Sequence, residues 1–329
     1  MTDLCDRLRL DAPVVQAGMG GGVAGAGLAA AVAAAGGLGT LGLAAPEALR
    51  SGADRVRQQA PGRAVAVNLL MPFVRRRHVA ACLAGGVDVV VLFYGGDARL
   101  VDELHGARIF VLAQVGTRLE AAAAVSWGVD GLVAQGVEAG GHLLGDQPAL
   151  AFLDEVLAVA GGRPVLVAGG IATGADTAAA LGAGAAGVVA GTRFLLTEES
   201  RAHPLYKQRV LGAEETIETT LFGFGWPARH RVVPNEATRR WLDATGAVRR
   251  APAALNAMSA PVGRILNDAL AASVPRIQRA RVPLLSPAPP LAGMADEVVE
   301  ATPLYAGTTA ARIHTVLTAA EAVTLLSGR

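Results

Sequence analysis

The sequence predicts an α/β fold: a (β/α)8 TIM barrel followed by a mostly helical C-terminal lobe. Two observations carry this expectation. Between residue 13 and about residue 195, eight short β-branched runs alternate with Ala-rich helical stretches, the pattern of βα units feeding a parallel sheet. Several of those runs end in glycine clusters, yet no G-x-G-x-x-G turn with a downstream acidic partner stands out after the first, where an open doubly wound sheet more often carries one and uses five or six strands. A chain of 329 residues, 52% of them hydrophobic, is long and apolar enough to bury such a core.

The predicted strands cover residues 13–19, 39–43, 64–70, 87–93, 109–115, 131–135, 164–168 and 187–190. Helical patterns lie between them at 27–35, 46–59, 75–84, 118–127, 149–160 and 176–182. After Thr197 the rhythm changes. Gly223-Phe224-Gly225-Trp226-Pro227 reads as a loop, and residues 275–290 are rich in proline. The expected division is a barrel over 1–198, a substrate-covering, mostly helical lobe over 199–303, and a C-terminal helix over 304–329 that returns to the barrel.

Lys and Arg number 29 against 28 Asp and Glu, a formal charge of +1, and no long basic run occurs. That balance argues against nucleic acid or an anionic membrane as partner and favours a small molecule. The first ten residues include Asp3, Asp6, Arg7 and Arg9, so they lack the apolar core of a secretory signal. The apolar stretch from 23 to 43 is broken by Gly36-Gly37 after one helix length, which speaks against a membrane span. Two cysteines, Cys5 and Cys82, suit a reducing compartment, and a cytoplasmic location is expected. No metal site is expected, and a homo-oligomer is compatible with the sequence.

In a barrel the reactive groups sit where strands end and loops begin. The first strand runs into Gln16-Ala17-Gly18-Met19-Gly20-Gly21-Gly22, where bare backbone admits close approach of a flat or anionic ligand, or simply makes a tight turn. Asn68 ends the third strand and Gln114 the fifth; each amide offers a donor and an acceptor to a heterocycle edge, or closes a turn. The sixth strand is followed by Gln135-Gly136-Val137-Glu138-Ala139-Gly140-Gly141-His142, which sets a histidine behind two glycines on a mouth loop. Its ordinary pKa of about 6.5 suits proton transfer near neutrality. Glu138 either orients that loop or accepts a ligand hydrogen bond. His78 and His105 fall in helical stretches, and His203, His230 and His314 lie outside the barrel repeat, where surface or capping roles are expected. Finally, Gly169-Gly170 follows the seventh strand and Gly191-Thr192 the eighth, the usual pair of loops for a phosphate in this architecture.

With these elements in place the chain resembles the nitronate monooxygenase family, formerly the 2-nitropropane dioxygenases. The likeness is carried by Pro13-Val14-Val15-Gln16-Ala17-Gly18-Met19, Gly36-Gly37-Leu38-Gly39, Val67-Asn68, the run from Gln135 to His142, the run from Pro164 to Ile171, Gly191-Thr192-Arg193-Phe194-Leu195 with Glu198-Glu199-Ser200, and Leu304-Tyr305-Ala306-Gly307. The resemblance implies an FMN cofactor, with His142 as catalytic residue, Gly169, Gly170, Gly191 and Thr192 at the phosphate, and Met19 and Asn68 against the flavin; Gly18, Gln114, Gly140 and Gly141 are further cofactor-binding candidates. It implies oxidation of alkyl nitronates, with nitroalkanes as further candidates, by O2 to carbonyl compounds and nitrite. Two departures bear on substrate shape: the family often has Pro in place of Gly18, and its aromatic-polar-aromatic-Gly element after the fourth strand reads Leu92-Phe93-Tyr94-Gly95 here. The Glu-Ala-Gly-Gly-His element also occurs in flavin-dependent enoyl-acyl carrier protein reductases, so an NAD(P)H-dependent reductase is the alternative. A non-catalytic flavin- or phosphate-binding barrel is a third reading. The inosine monophosphate dehydrogenase type works through a loop cysteine, and neither Cys5 nor Cys82 falls on the loop after the sixth strand.

Overall fold

The computed structural model describes residues 3–263 and 274–328. Eight parallel strands form one sheet: β1 (Val14–Gln16), β2 (Gly39–Leu41), β3 (Val65–Leu70), β4 (Val89–Phe93), β5 (Phe110–Val115), β6 (Gly131–Gln135), β8 (Val165–Ala168) and β9 (Gly187–Ala190). The two-residue strand β7 (Gly141–His142) lies outside this sheet. The hydrogen-bonded order β1-β9-β8-β6-β5-β4-β3-β2 follows the sequence around a ring. The ring closes where Leu38 N–H donates to Val14 O at 2.9 Å and Gln16 N–H to Leu38 O at 3.0 Å. The fold is thus the (β/α)8 barrel that the alternation of runs predicts.

Side-chain alternation along the strands separates two cores. Val65, Val67 and Leu69 on β3, like Val90 and Leu92 on β4, pack outward against the helices. Ala66, Val89, Val91, Phe110, Leu112, Val133, Leu166 and Val189 fill the interior. The first helix, Asp3–Leu8, plugs the amino-terminal end by adding Leu4, Cys5 and Leu8 to that interior. Its neighbourhood is fastened by ion pairs of Arg9 with Asp88 at 2.8 Å and of Arg7 with Asp130 at 3.2 Å, and by a hydrogen bond between His105 and Asp130 at 2.9 Å. These groups line a polar cavity of about 370 Å³ at the end of the barrel away from the loops that carry chemistry.

Local chemistry accounts for the helix boundaries. Pro46 starts the helix Pro46–Gln59, whose Leu49, Ala53 and Val56 recur at helical spacing on its buried face. Asp97 and Thr117 cap the helices that follow β4 and β5, and Thr173 with Asp176 forms a capping box after β8. Beyond residue 199 the described residues include the α-helices Pro204–Leu211, Glu236–Trp241, Arg250–Gly263 and Ala319–Ser327, and two further strands. Strands β10 (Ile217–Thr219) and β11 (His230–Val232) pair antiparallel, and β11 also pairs with β7. This three-stranded sheet brings the lobe onto the barrel mouth beside His142. Among the described residues no helix is long and apolar enough to cross a membrane.

Candidate active site at the barrel mouth

The alternation that sends Ala66 inward on β3 sends Asn68 inward one step nearer the mouth, and Phe110 and Leu112 on β5 lead in the same way to Gln114. The top layer of the interior is therefore polar where the lower layers are apolar. Asn68 and Gln114 line a small cavity there together with Gly18, Gln16 and Thr40. The Asn68 amide nitrogen donates to Gly18 O at 3.0 Å. Asn68 Oδ1 and Thr40 Oγ1 are both buried without a hydrogen-bond partner, the condition in which a buried acceptor gains most from a ligand donor. Met19, on the same loop as Gly18, packs instead into the apolar clusters behind it.

Gln135, at the end of β6, fixes the following loop by donating to His142 O at 2.9 Å and accepting from Leu144 N–H at 3.0 Å. His142 is the β7 residue paired with His230 on β11. Its imidazole sits in an aromatic cage. The ring centroids of Trp226, His230, Tyr305 and Tyr94 lie 4.1, 5.3, 5.4 and 6.4 Å away. The residue keeps an edge to solvent, but Nδ1 is buried and unpartnered. Burial, and secondarily the neighbouring His230, holds its pKa well below the ordinary 6.5, so the ring is neutral at pH 7. His230 is completely buried, and burial brings its pKa down to about 4. The expectation of a surface or capping role for His230 is therefore wrong: antiparallel pairing carries it into the site. His203 does cap its helix, accepting from Leu205 N–H at 3.2 Å.

Tyr94 extends β4 with φ of 65°, a left-handed conformation that a non-glycine residue holds only under constraint. Its hydroxyl donates to Leu143 O at 2.8 Å, and burial pushes its pKa up to about 12. The Gly223–Pro227 loop places Trp226 over Phe73, Tyr94 and His142, with the first two centroids 5.2 and 4.9 Å from its own.

The glycines divide into two kinds. Gly140 is demanded by a chain crossing, since a Cβ there would lie 2.4 Å from the backbone of Ala306 and of Gly307. Gly141 has φ of 78° and open space around it. Gly169 and Gly170 both take positive φ, 105° and 76°, which only glycine adopts freely. Gly191 caps the short helix Thr192–Leu195, and a Cβ on it would meet only Ala17 Cβ, at 3.8 Å. The Gly170 carbonyl is held by Arg312 at 2.9 Å, and Thr192 Oγ1 accepts from Gly307 N–H at 2.9 Å. Glu138 receives the Ala149 N–H at 3.0 Å, so it caps the helix Ala149–Leu157 and orients the loop. Sequence reasoning names Gly18, Asn68, Gln114, His142 and the loop glycines, but misses His230, Trp226 and Arg312. Tyr305 lies inside a motif whose side-chain role the sequence leaves open.

Open backbone at Gly141 and Gly191, paired positive-φ glycines after β8, and orphaned acceptors at Asn68 and Thr40 suit a flat heterocycle bearing a phosphate. Among the described residues no group of His, Cys, Asp or Glu could hold a metal ion. Cys82 is buried with its thiol pKa pushed up to about 12, so it is a packing residue.

Comparison with known proteins matches this geometry to an enzyme family. The chain is 37% identical over 246 residues to a (3aS,4S,5R,7aS)-5-hydroxy-7a-methyl-1-oxo-octahydro-1H-indene-4-carboxyl-CoA dehydrogenase of Mycobacterium tuberculosis, covering 73% of this chain and 68% of that one. It is 31% identical over 265 residues to a nitronate monooxygenase of Paraburkholderia phytofirmans, covering 65% and 71%. The structure of a nitroalkane oxidase from Streptomyces ansochromogenes superposes with a TM-score of 0.77 at 28% identity, covering 99% of this chain and 96% of that one. The nitronate monooxygenase family model matches residues 46–327, and the protein belongs to that family of oxidoreductases.

Proposed function

We propose that the protein is an FMN-dependent enzyme that oxidises nitro compounds, alkyl nitronates and the nitroalkanes that yield them, with O2 to carbonyl compounds and nitrite. The observation that carries the proposal is His142, a neutral imidazole on the loop after β6 whose Nδ1 is buried and unpartnered at the barrel mouth. Bound FMN supplies the electron acceptance that no side chain of the site offers. Gly169, Gly170, Gly191 and Thr192 would hold its phosphate; Gly18, Asn68 and Gln114 would meet the ring edge, with Gly140, Gly141 and Met19 beside them. From a neutral nitroalkane, His142 removes the acidic proton on the carbon bearing the nitro group. Trp226, Tyr94 and Tyr305 give that step a water-poor surround.

The test is the visible spectrum of the purified protein, mass analysis of the cofactor released on denaturation, and oxygen uptake with ethyl nitronate. A flavin spectrum, FMN and uptake are expected. FAD, or a well-folded protein free of flavin, would remove the basis of the proposal.

A second reading is favoured by the Mycobacterium tuberculosis relative, named as a dehydrogenase of a bicyclic carboxyl-CoA compound. In that reading His142 takes a proton from a carbon beside a carbonyl. Reduction of an artificial electron acceptor by an acyl-CoA thioester, without oxygen uptake on nitronate, would favour it.

A further inference from the structure

The two histidines of the site carry an assignment of their own. His230 Nδ1 lies 2.9 Å from the Ala228 carbonyl oxygen. A carbonyl only accepts, so the neutral ring holds its proton on Nδ1, and Nε2, buried and unpartnered, keeps its lone pair. Tyr305 settles His142 in the same way. Its single hydroxyl proton goes to Pro287 O at 2.8 Å. Toward His142 Nε2, 3.4 Å away, the Tyr305 oxygen therefore accepts. His142 carries its proton on Nε2, and its lone pair lies on Nδ1, the atom without a partner. The Arg229 carbonyl, which accepts Leu143 N–H at 2.9 Å, favours the protonated ring. His142 and His230 are directly paired across β7 and β11, with ring planes at 82°.

We propose that Tyr305 and His230 are positioning residues that make Nδ1 of His142 the reacting atom. This rests on the reading of His142 as the base. In the step it performs, the substrate C–H bond breaks and an N–H bond forms at His142 Nδ1. The electron pair stays on the substrate, delocalised into the adjoining nitro or carbonyl group. Tyr305 fixes the tautomer beforehand, and the His230 ring, 5.3 Å away centroid to centroid, is the polar neighbour of the imidazolium that forms. Two buried acceptors without partners, His142 Nδ1 and His230 Nε2, welcome a substrate that brings a hydrogen and disfavour one that brings only lone pairs, so the neutral acid is the form that the pair selects. The other titratable groups around the pair are two tyrosines and two arginines that share one carboxylate. Tyr94 and Tyr305 are neutral, burial holding both pKa values above their ordinary one. Arg229 and Arg231, from β11 and the residue before it, pair with Glu218 on β10 at 3.3 and 2.6 Å.

Long-range proton–nitrogen correlation on ¹⁵N-histidine-labelled protein, as purified and at pH 7, tests the assignment directly. Cross-peaks are identified by their loss in His142→Gln and His230→Phe. The expected spectra show His142 protonated on Nε2, His230 on Nδ1, and a mixture of His142 tautomers in Tyr305→Phe. Kinetically, Tyr305→Phe and His230→Phe should lower kcat for nitroethane roughly 10-fold or more with little change in KM, and lower turnover of ethyl nitronate by a smaller factor. His230→Asn should recover part of the loss, since its amide restores an acceptor. A proton on Nδ1 of His142, a charged His142 ring at pH 7, or equal losses on both substrates would overturn the assignment. If the wild type oxidises neither substrate, the functional reading fails, while the spectra still decide the tautomers.

Discussion

The Asn68 side chain donates to the backbone carbonyl of Gly18 at 3.0 Å, and a Cβ on Gly18 would stand 2.3 Å from the Asn68 Cβ. The first mouth loop and the third strand thus approach as closely as a glycine permits.

Gly18→Ala should therefore lower stability by about 1–3 kcal/mol through overpacking, read as a fall in the thermal or urea midpoint. Cofactor retention should fall with it, because the displaced Asn68 lines the cavity. An unchanged midpoint would mean that the two backbones are not in contact.

Gly191→Asp separates charge from packing. Its φ of −101° suits any residue and its Cβ direction is open, so the fold should change by less than about 0.5 kcal/mol. A carboxylate there repels a phosphate, and FMN occupancy at equal added cofactor should drop by an order of magnitude or more. Full occupancy in the variant would move the phosphate site elsewhere.

His142→Ala should reduce kcat/KM for a neutral nitroalkane by roughly 10²- to 10⁴-fold, the usual scale of general base catalysis. Oxidation of the preformed nitronate, which has no such proton to lose, should suffer less. Unchanged activity on both, at matched flavin content, would take His142 out of the chemistry.

The buried histidines also set an acid limit on stability. His230 titrates near 4 in the folded protein against 6.5 in an unfolded chain, so the unfolded state takes the proton first. Stability is complete above pH 6.5 and declines as pH falls toward 4, on the order of 3 kcal/mol for this group; His142 acts in the same direction. Urea midpoints at pH 8 and pH 5 should differ clearly in the wild type and less in His230→Phe. An equal difference in both would assign the acid sensitivity to other groups.

Trp226 lies 4.1 Å from His142, centroid to centroid, and supplies part of the burial that depresses its pKa. Trp226→Ala should admit water, raise the His142 pKa toward 6.5, and move the acid limb of kcat/KM for nitroethane to higher pH. A limb that stays in place would show that other neighbours cause the shift.

How much of this was legible in the sequence follows from what each feature depends on. Strand alternation is local, so residues 64–70 already state that Asn68 faces inward with Ala66 at the mouth of β3. Glycines after consecutive strands are local as well, and they single out the loops proposed for the phosphate before any contact is known. Strand ends are less local. The first strand, expected over 13–19, stops at Gln16, because Met19 N–H turns back to Ala17 O at 2.8 Å.

The sequence by itself determined the barrel, its mouth loops and the position of His142, since each is read from patterns local to one βα unit or from the repetition of such units along the chain. Only the tertiary structure decided what surrounds that histidine. His230 reaches it through the pairing of β11 with β7, Trp226 through a loop of the added lobe, and Tyr305 through a C-terminal segment pressed against Gly140. None of these contacts leaves a local period in the chain. They form because the lobe folds back over the mouth, and the same covering buries both imidazoles and holds them neutral.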